Sequence, residues 1–494
     1  MLYLIMDYSG MKVLIMGLGL HGGGLESGRY LLRHGAELTV TDLRDEQTLA
    51  PSIAQLEAAW KDGSRGTAIR YVLGRHEIDD FRAADMVIKN PGVPPNSPFL
   101  QAARRIETDI SLFLAAIHGN PGHGPRLVAV TGSKGKSSTA SALHWALARR
   151  GGSGKAWLGG NITVSPLAFV DELATGDYVV LELSSWQLGD IKGRRNADGS
   201  PLLKPKAAVI TPIMPDHLDR YGSMEAYVND KRVIYQGQDS GDITVAQDDN
   251  WGRSFLAESK ASPLMYASAP LPEKVSGGWL NDPVGPGLAR LCGWQGVAPG
   301  IAGDKTVEIV PVQTLVPGRH QKQNLLAAGL ALLGLGLPHG AIRESLGSFP
   351  GVEHRLELFH QAGGVDFYND SAATIPEAAT AAIEALGGDG RLVLVTGGTD
   401  KNLDFSPLAQ AAGRAKAAIL LAGTGSEKLR AMLAGTSVAC LGPFDSVDKA
   451  AAAALEAATP GDRVALSPGC ASFGMFLNEF DRGHKWKEAI RRLA

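Results

Sequence analysis

The residues that most plainly carry chemistry are Thr131-Gly132-Ser133-Lys134-Gly135-Lys136-Ser137-Ser138. Two glycines let a backbone turn approach an anion closely, and the N–H groups opening the next helix present about half a positive charge. Lys136 adds a full charge that reaches terminal phosphates, and the Ser137 hydroxyl is a ligand for Mg²⁺. Only Ser133 and Lys134 separate the glycines, so the spacing departs from the longer standard phosphate loop. An ordinary turn before a helix is the competing reading.

A second glycine cluster, Gly17-Leu18-Gly19-Leu20-His21-Gly22, has the dinucleotide spacing. Asp42 lies about 20 positions on, where a ribose hydroxyl would be held. It reads either as NAD or FAD binding or as a Rossmann-like domain for another nucleotide. Asn90-Pro91-Gly92 follows the apolar run Met86 to Lys89 and offers backbone N–H groups or a plain connection. Glu182 ends the apolar run beginning at Tyr178, and a strand-end carboxylate beside a phosphate loop can bind Mg²⁺. His217 and Lys231 read most simply as a structural histidine and an exposed helix lysine.

The elements that must position these groups are legible as periodicity. Lys12 to Met16, Glu37 to Thr41, Leu127 to Val130, Tyr178 to Leu181, Ala207 to Thr211, Arg391 to Thr396, Ala418 to Leu421 and Arg463 to Leu466 are short apolar runs. Such runs, alternating with helical segments, predict buried strands of parallel sheets. Polar residues at their carboxyl ends then converge on one edge. Glu225 to Gln236 reads as a helix. The stretch 270–303, rich in Gly, Pro and Trp, has no period and no assigned chemistry. Breaks at Gly119 to Pro125 and Pro350-Gly351 divide the chain.

At 494 residues, three domains are predicted: 1–124, 125–351 and 352–494. The fold class is α/β, with a Rossmann-like first domain, a phosphate-loop ATPase-type central domain and a Rossmann-like third domain. Apolar content of 44% and charged content of 20% are those of a globular protein. A net charge of −3 gives no reason to expect nucleic acid or an acidic membrane. Three scattered cysteines show neither metal nor disulfide spacing and fit a reducing, cytoplasmic setting. The start has no signal-peptide pattern, and Met11 is an equally good initiator. The apolar stretch Leu325 to Leu337 is too short for a membrane span and reads as a core helix.

Taken in order, these motifs resemble the Mur ligase family along almost the whole chain, the short phosphate loop being shared with folylpolyglutamate synthases. The carriers are the first glycine cluster with Asn90-Pro91-Gly92, then Thr131 to Ser137, Glu182-Leu183-Ser184-Ser185 and Asp216 to Tyr221. Asn369-Asp370-Ser371 with Ala373-Thr374, and Ser467 to Ser472, complete the set. The last two resemble the branch that adds glutamate. The resemblance implies an ATP-dependent ligase acting on UDP-N-acetylmuramoyl-L-alanine and glutamate through an acyl phosphate. D-glutamate is the expected acceptor, L-glutamate the alternative, and a monomer is expected.

The resemblance also assigns roles. Gly19, His21, Asp42, Arg44, Asn90, Pro91 and Gly92 would hold the UDP part of the substrate, and Asn161 its muramoyl portion. Gly132, Ser133, Lys134, Gly135, Lys136, Ser137 and Ser138 would hold ATP, with Asn324, Arg355 and Asp370. Lys136, Glu182, His217 and Lys231 would be catalytic. Two Mg²⁺ ions would take Ser137, Glu182, His217 and Lys231, the last as a carbamate. Thr374, Lys401 and Ser472 would bind glutamate. This chain departs from the family pattern at Gln321 (usually Asn), at Ala372 (usually Lys), and at Glu479-Phe480, where the aromatic and acidic order is reversed. An NAD-dependent oxidoreductase and a non-catalytic nucleotide-binding scaffold are the readings from other classes.

Overall fold

In a computed structural model, residues 7–19, 22–63, 68–118, 124–162, 164–282, 285–292 and 305–494 are described. The chain builds three sheets. The first has five parallel strands in the order 70–73, 37–42, 12–16, 86–89, 106–107. Strands 12–16 and 86–89 lie side by side, with Met16 opposite Lys89. Chain direction reverses across the sheet at that pair, which opens a crevice at its carboxyl edge. Helix Gly23–Arg33 starts there. It packs so closely that a Cβ on Gly24 would sit 2.3 Å from the Gly17 carbonyl oxygen.

The second sheet has nine strands, and its centre carries the chemistry. Strand Arg126–Thr131 lies between Tyr178–Glu182 and Ala207–Ile210, all parallel. The register sets Val130 opposite both Glu182 and Val209. The phosphate loop and Glu182 therefore emerge side by side. Helix Lys136–Ala148 follows the loop. The region predicted as one helix is two, Met224–Lys231 and Val233–Gln236. Strands Gly277–Leu280 and Gly287–Arg290 lie within the stretch that showed no period, and residues 293–303 of it lie outside the described residues.

The third sheet has six strands in the order 357–362, 365–369, 463–466, 392–396, 417–421, 439–444. Its first pair is antiparallel and the others are parallel.

The chain forms two compact units. One holds the first sheet and nearly all of the second, and the other holds 343–494 with 280–287 and 310–325. The first two sheets share one hydrophobic core. Leu25, Ile110 and Phe113 from the first pack with Leu167, Phe169 and Leu188 from the second. The Phe113 and Phe169 rings meet edge to face at 6.2 Å. The apolar stretch 325–333 is buried in helix Arg319–Gly334, as expected of a core helix. Among the described residues, no helix is long and apolar enough to cross a membrane.

Candidate active site

Gly132 turns with φ 146°, and a Cβ there would fall 1.9 Å from the Thr211 hydroxyl, so no side chain fits. Gly135 caps helix Lys136–Ala148 in the left-handed region, φ 85°. No side chain caps that helix end, so its first N–H groups remain for an anion. Lys136 Nζ folds back onto the Gly132 and Ser133 carbonyl oxygens, at 3.0 and 3.1 Å. The Ser133 hydroxyl hydrogen-bonds with the Met214 backbone and the Tyr227 phenol. It shapes the loop and leaves only its backbone to face a phosphate. Lys134 is exposed, Ser137 half-buried and Ser138 buried.

Glu182 is 1% exposed. Its Oε1 accepts from Asn161 Nδ2 at 3.0 Å, while its buried Oε2 has no hydrogen-bond partner. An orphaned carboxylate oxygen is costly unless something positive meets it. A hard divalent cation fits that donor set. Asn161 thus holds the carboxylate with the amide that the family resemblance assigns to the muramoyl group.

Lys231 overturns its simplest reading: it is 2% exposed. Its Nζ donates to the Gly132 carbonyl oxygen at 2.9 Å and lies 4.5 Å from the centre of the Tyr227 ring. Burial, then the charge of Lys136, pushes the ammonium down to about 7. Asp216, Asp230 and Glu182 pull the other way. His217 adopts φ 52° and is half exposed, its ring 4.8 Å from that of Trp186. Its Nε2 is 3.8 Å from Asp216 Oδ2.

Asn90, Pro91, Gly92, Asn161, Lys136, His217 and Lys231 line one cavity of about 500 Å³. The turn expected to hold the UDP-linked substrate and the loop expected to hold ATP thus face a common space. Asn90 Oδ1 accepts from Gly92 N at 3.1 Å and fixes that turn. Asp42 spends both oxygens on the glycine loop and its own turn, accepting from Gly19 N at 3.2 Å and Arg44 N at 2.9 Å. His21 lies outside the described residues. Trp186, Gln187, Asp216 and Tyr227 also line the cavity, and none of them has a role assigned from sequence. The spacing of Tyr227 four residues before Lys231 on a helix is the signal that points to it.

The second unit gathers the residues expected to bind glutamate. The turns after strands 365–369, 392–396 and 463–466 are tied together. Gly469 N donates to the Ala373 carbonyl, and Thr399 and Ala471 exchange backbone hydrogen bonds. Thr374, Lys401 and Ser472 stand on these turns, Lys401 exposed and Ser472 buried. Arg482 belongs to this region without any signal in the sequence. Its buried guanidinium donates to the Ser371 hydroxyl and carbonyl and to the Cys470 carbonyl, at 2.8–3.1 Å. Ala372 and Glu479 sit on this clamp, the Glu479 carbonyl accepting from Ser371 Oγ.

Asp370 is turned inward. Its oxygens accept from Ser467 Oγ at 2.6 Å and Leu356 N at 3.1 Å, and burial pushes its carboxyl up to about 7. Asn324 is buried, donating to Gln321 Oε1, and Arg355 is exposed. Glu353, His354 and His484 cluster as metal ligands can. The Lys487 ammonium, 2.6 Å from Glu353 and 2.9 Å from Glu357, already supplies the positive charge there.

Residues 11–111 match the family description "Mur ligase MurD-like, N-terminal domain", residues 130–275 "Mur ligase middle domain", and residues 354–470 "Mur ligase, glutamate ligase domain". The UDP-N-acetylmuramoylalanine–D-glutamate ligase of Treponema pallidum is 39% identical, covering 98% of both chains. That of a Roseiflexus species is 41% identical over 99% of both. Among solved structures, a UDP-N-acetylmuramate–alanine ligase of Thermotoga maritima aligns with a TM-score of 0.58 at 16% identity, covering 98% of this chain and 100% of that one. A MurF ligase of the same organism in complex with ADP gives 0.53 at 17%, covering 100% and 98%. These two speak to the fold alone.

Proposed function

This chain belongs to the Mur ligase family, and from that premise we propose how its residues run the family's reaction. It is an ATP-dependent ligase that adds D-glutamate to UDP-N-acetylmuramoyl-L-alanine in peptidoglycan precursor synthesis. The relatives named for D-glutamate favour that acceptor over L-glutamate. They also displace the oxidoreductase and scaffold readings. The observation that carries the residue assignments is the common cavity of the phosphate loop, Lys231 and Asn90 to Gly92.

A carboxylate is a poor electrophile, so its oxygen must first become a leaving group. The alanyl carboxylate attacks the γ-phosphorus of ATP, ADP departs, and an acyl phosphate forms. The amine of glutamate then attacks the acyl carbon, and phosphate leaves as the amide closes. Gly132 to Ser138 hold the ATP phosphates, with Lys136 leaving its two carbonyls to follow the charge in transfer. Asn324 and Arg355 serve the adenine and phosphates, and Asp370 the ribose or phosphate side. Asn90, Pro91 and Gly92, with Gly19, His21, Asp42 and Arg44, hold the UDP part, and Asn161 faces the muramoyl portion. His217, or a nearby carboxylate such as Asp216 when His217 is on the metal, takes the proton released by the amine. Thr374, Lys401 and Ser472 hold the acceptor.

Ser137, Glu182, His217 and a modified Lys231 supply ligands for two Mg²⁺ ions, whose chemistry is to offset phosphate charge. Lys231 is carbamylated in this reading. Its amine, lowered to about 7 and so about half unprotonated near neutrality, adds to CO₂ and releases a proton. The charge of Lys136, which opposes a buried ammonium, favours the resulting anion. The sequence domains run 1–124, 125–351 and 352–494, each enclosing one matched family segment, in a cytoplasmic monomer.

Phosphate release is measured with saturating ATP and UDP-N-acetylmuramoyl-L-alanine, offering each glutamate enantiomer in turn. Release with D-glutamate alone supports the reading, and faster turnover with L-glutamate overturns the acceptor. Acetate should partly restore activity to Lys231→Ala, and a ¹³C-labelled carbamate signal should vanish in that variant.

A further inference from the structure

A larger cavity, about 1170 Å³, lies beside the first in the same compact unit. The reaction as described leaves it without a role. Its walls combine apolar side chains, among them Pro94, Leu100 and Ile106, with two groups of charge.

Both groups have one composition: two cations to one carboxylate. In the first, the Glu107 carboxylate pairs with Arg194 at 2.5 Å and with Arg105 at 3.0 Å. In the second, Lys89 pairs with Asp190 at 2.7 Å, both largely buried. Arg220 stands near enough to act on both charges and lies 4.2 Å from the centre of the Trp186 ring. Among the described residues, no carboxylate comes within ion-pair distance of Arg220. The remaining acid in the walls, Asp230, has its own partner in Lys192 at 3.1 Å. Each triad is therefore one negative charge short of balance. Charges partly shielded from water attract a counter-charge more strongly than surface ones.

We propose that this cavity is a second ligand site, distinct from the catalytic one, for a small organic dianion whose two anionic groups meet the two triads across an apolar body. Its volume suits a ligand of nucleotide or dipeptide size. Gly92 and Trp186 line both cavities. A ligand that shifts either residue alters affinity in the neighbouring space, and the coupling is reciprocal. The dicarboxylate dipeptide that forms the growing end of the product, its amine acylated, offers this chemistry, whereas a uridine diphosphate carries its anionic groups side by side at one end. The coupling, but not the binding, rests on reading the neighbouring cavity as catalytic.

Calorimetry on the full chain tests the binding without turnover. The protein is first saturated with a non-hydrolysable ATP analogue and UDP-N-acetylmuramoyl-L-alanine, then titrated with N-acetyl-L-alanyl-D-glutamate, whose amine is an amide as in the product, or with UDP or sulfate. The N-acetyl dipeptide should bind once per chain and more tightly than UDP or sulfate. Arg194→Ala leaves Glu107 paired with Arg105, and Arg220→Gln leaves Lys89 paired with Asp190. Each variant removes one surplus charge without baring a carboxylate, and each should weaken binding about tenfold. Arg194→Ala should keep its melting temperature and its turnover in the absence of the dianion. No binding by the N-acetyl dipeptide overturns the proposal. So does equal affinity in wild type and both variants, or UDP binding more tightly than the dipeptide, or sulfate binding as tightly as it, which marks an adventitious ion only. Absence of ligase activity in the wild-type chain, with binding intact, would instead count against the catalytic reading.

Discussion

The phosphate-loop cavity and the clamped turns of the third sheet handle polar groups in opposite ways. At the first, charge is left unfinished. Glu182 keeps a buried oxygen without a partner, a helix opens without a cap, and Lys136 rests on carbonyls. At the second, Asp370, Ser371 and Arg482 are satisfied within the protein, and Lys401 stands exposed. The difference teaches where each region spends its free energy. On the proposed reading, the orphaned Glu182 oxygen and the uncapped helix end are the groups that phosphates and metal would stabilise. The second is a finished scaffold that presents individual side chains, which suits reading the shape of a small acceptor.

The strongest way to break this contrast is Lys136→Ala. Turnover should fall by about a thousandfold or more, since such electrostatic stabilisers are worth several kcal/mol. The melting temperature should hardly change, because the lysine rests on exchangeable carbonyl contacts. A collapse in stability instead would make the loop a finished scaffold like the other region.

The next test is pH. Asp370 has its carboxyl raised from 3.8 to about 7 in the folded chain. The folded state therefore binds a proton that the unfolded state releases between those values. Stability should be greatest below the unfolded value and decline as pH rises through the folded one, by an amount on the order of 4 kcal/mol. Asp370→Asn should flatten that part of the profile in denaturant titrations of the full chain. An unchanged slope would show that the carboxyl is not held neutral.

Arg482→Met should cost about 2–3 kcal/mol, because Ser371 and Cys470 keep buried carbonyls without donors. A thermal melt reads it, and Arg482→Lys should recover only part, lacking the planar fork. The smallest expected effect is Lys401→Ala. It should raise the glutamate KM about tenfold with the ATP KM unchanged, as for the loss of one ion pair at a binding site. A fall in kcat alone would place Lys401 in the chemistry rather than in recognition.

Much of the fold and of the phosphate site is legible in the sequence alone. Parallel strands buried on both faces are near-continuous apolar runs, so Leu127 to Val130 and Arg463 to Leu466 announce themselves. Gly132 and Gly135 mark a turn that only glycine permits, and both take positive φ. Lys231 differs from its simplest reading because helical periodicity does not say which surface lies beneath a polar residue. Here that surface is the underside of the phosphate loop. Arg482 is silent because its Ser371 partner is 111 residues distant in sequence. Strands Gly277–Leu280 and Gly287–Arg290 are too short and too rich in glycine to show a period.

The core shared by the first two sheets has a consequence for how the chain can be divided. Family boundaries separate residues 11–111 from 130–275, yet Leu25 and Phe113 on one side close over Leu167 and Phe169 on the other. A fragment ending at residue 118 would carry half of an oily seam into water. Such a piece should aggregate, whereas residues 7–279 hold both halves of the seam. In the calorimeter, the first two sheets should give a single endotherm, with calorimetric and van't Hoff enthalpies equal, and no pre-transition for the first sheet.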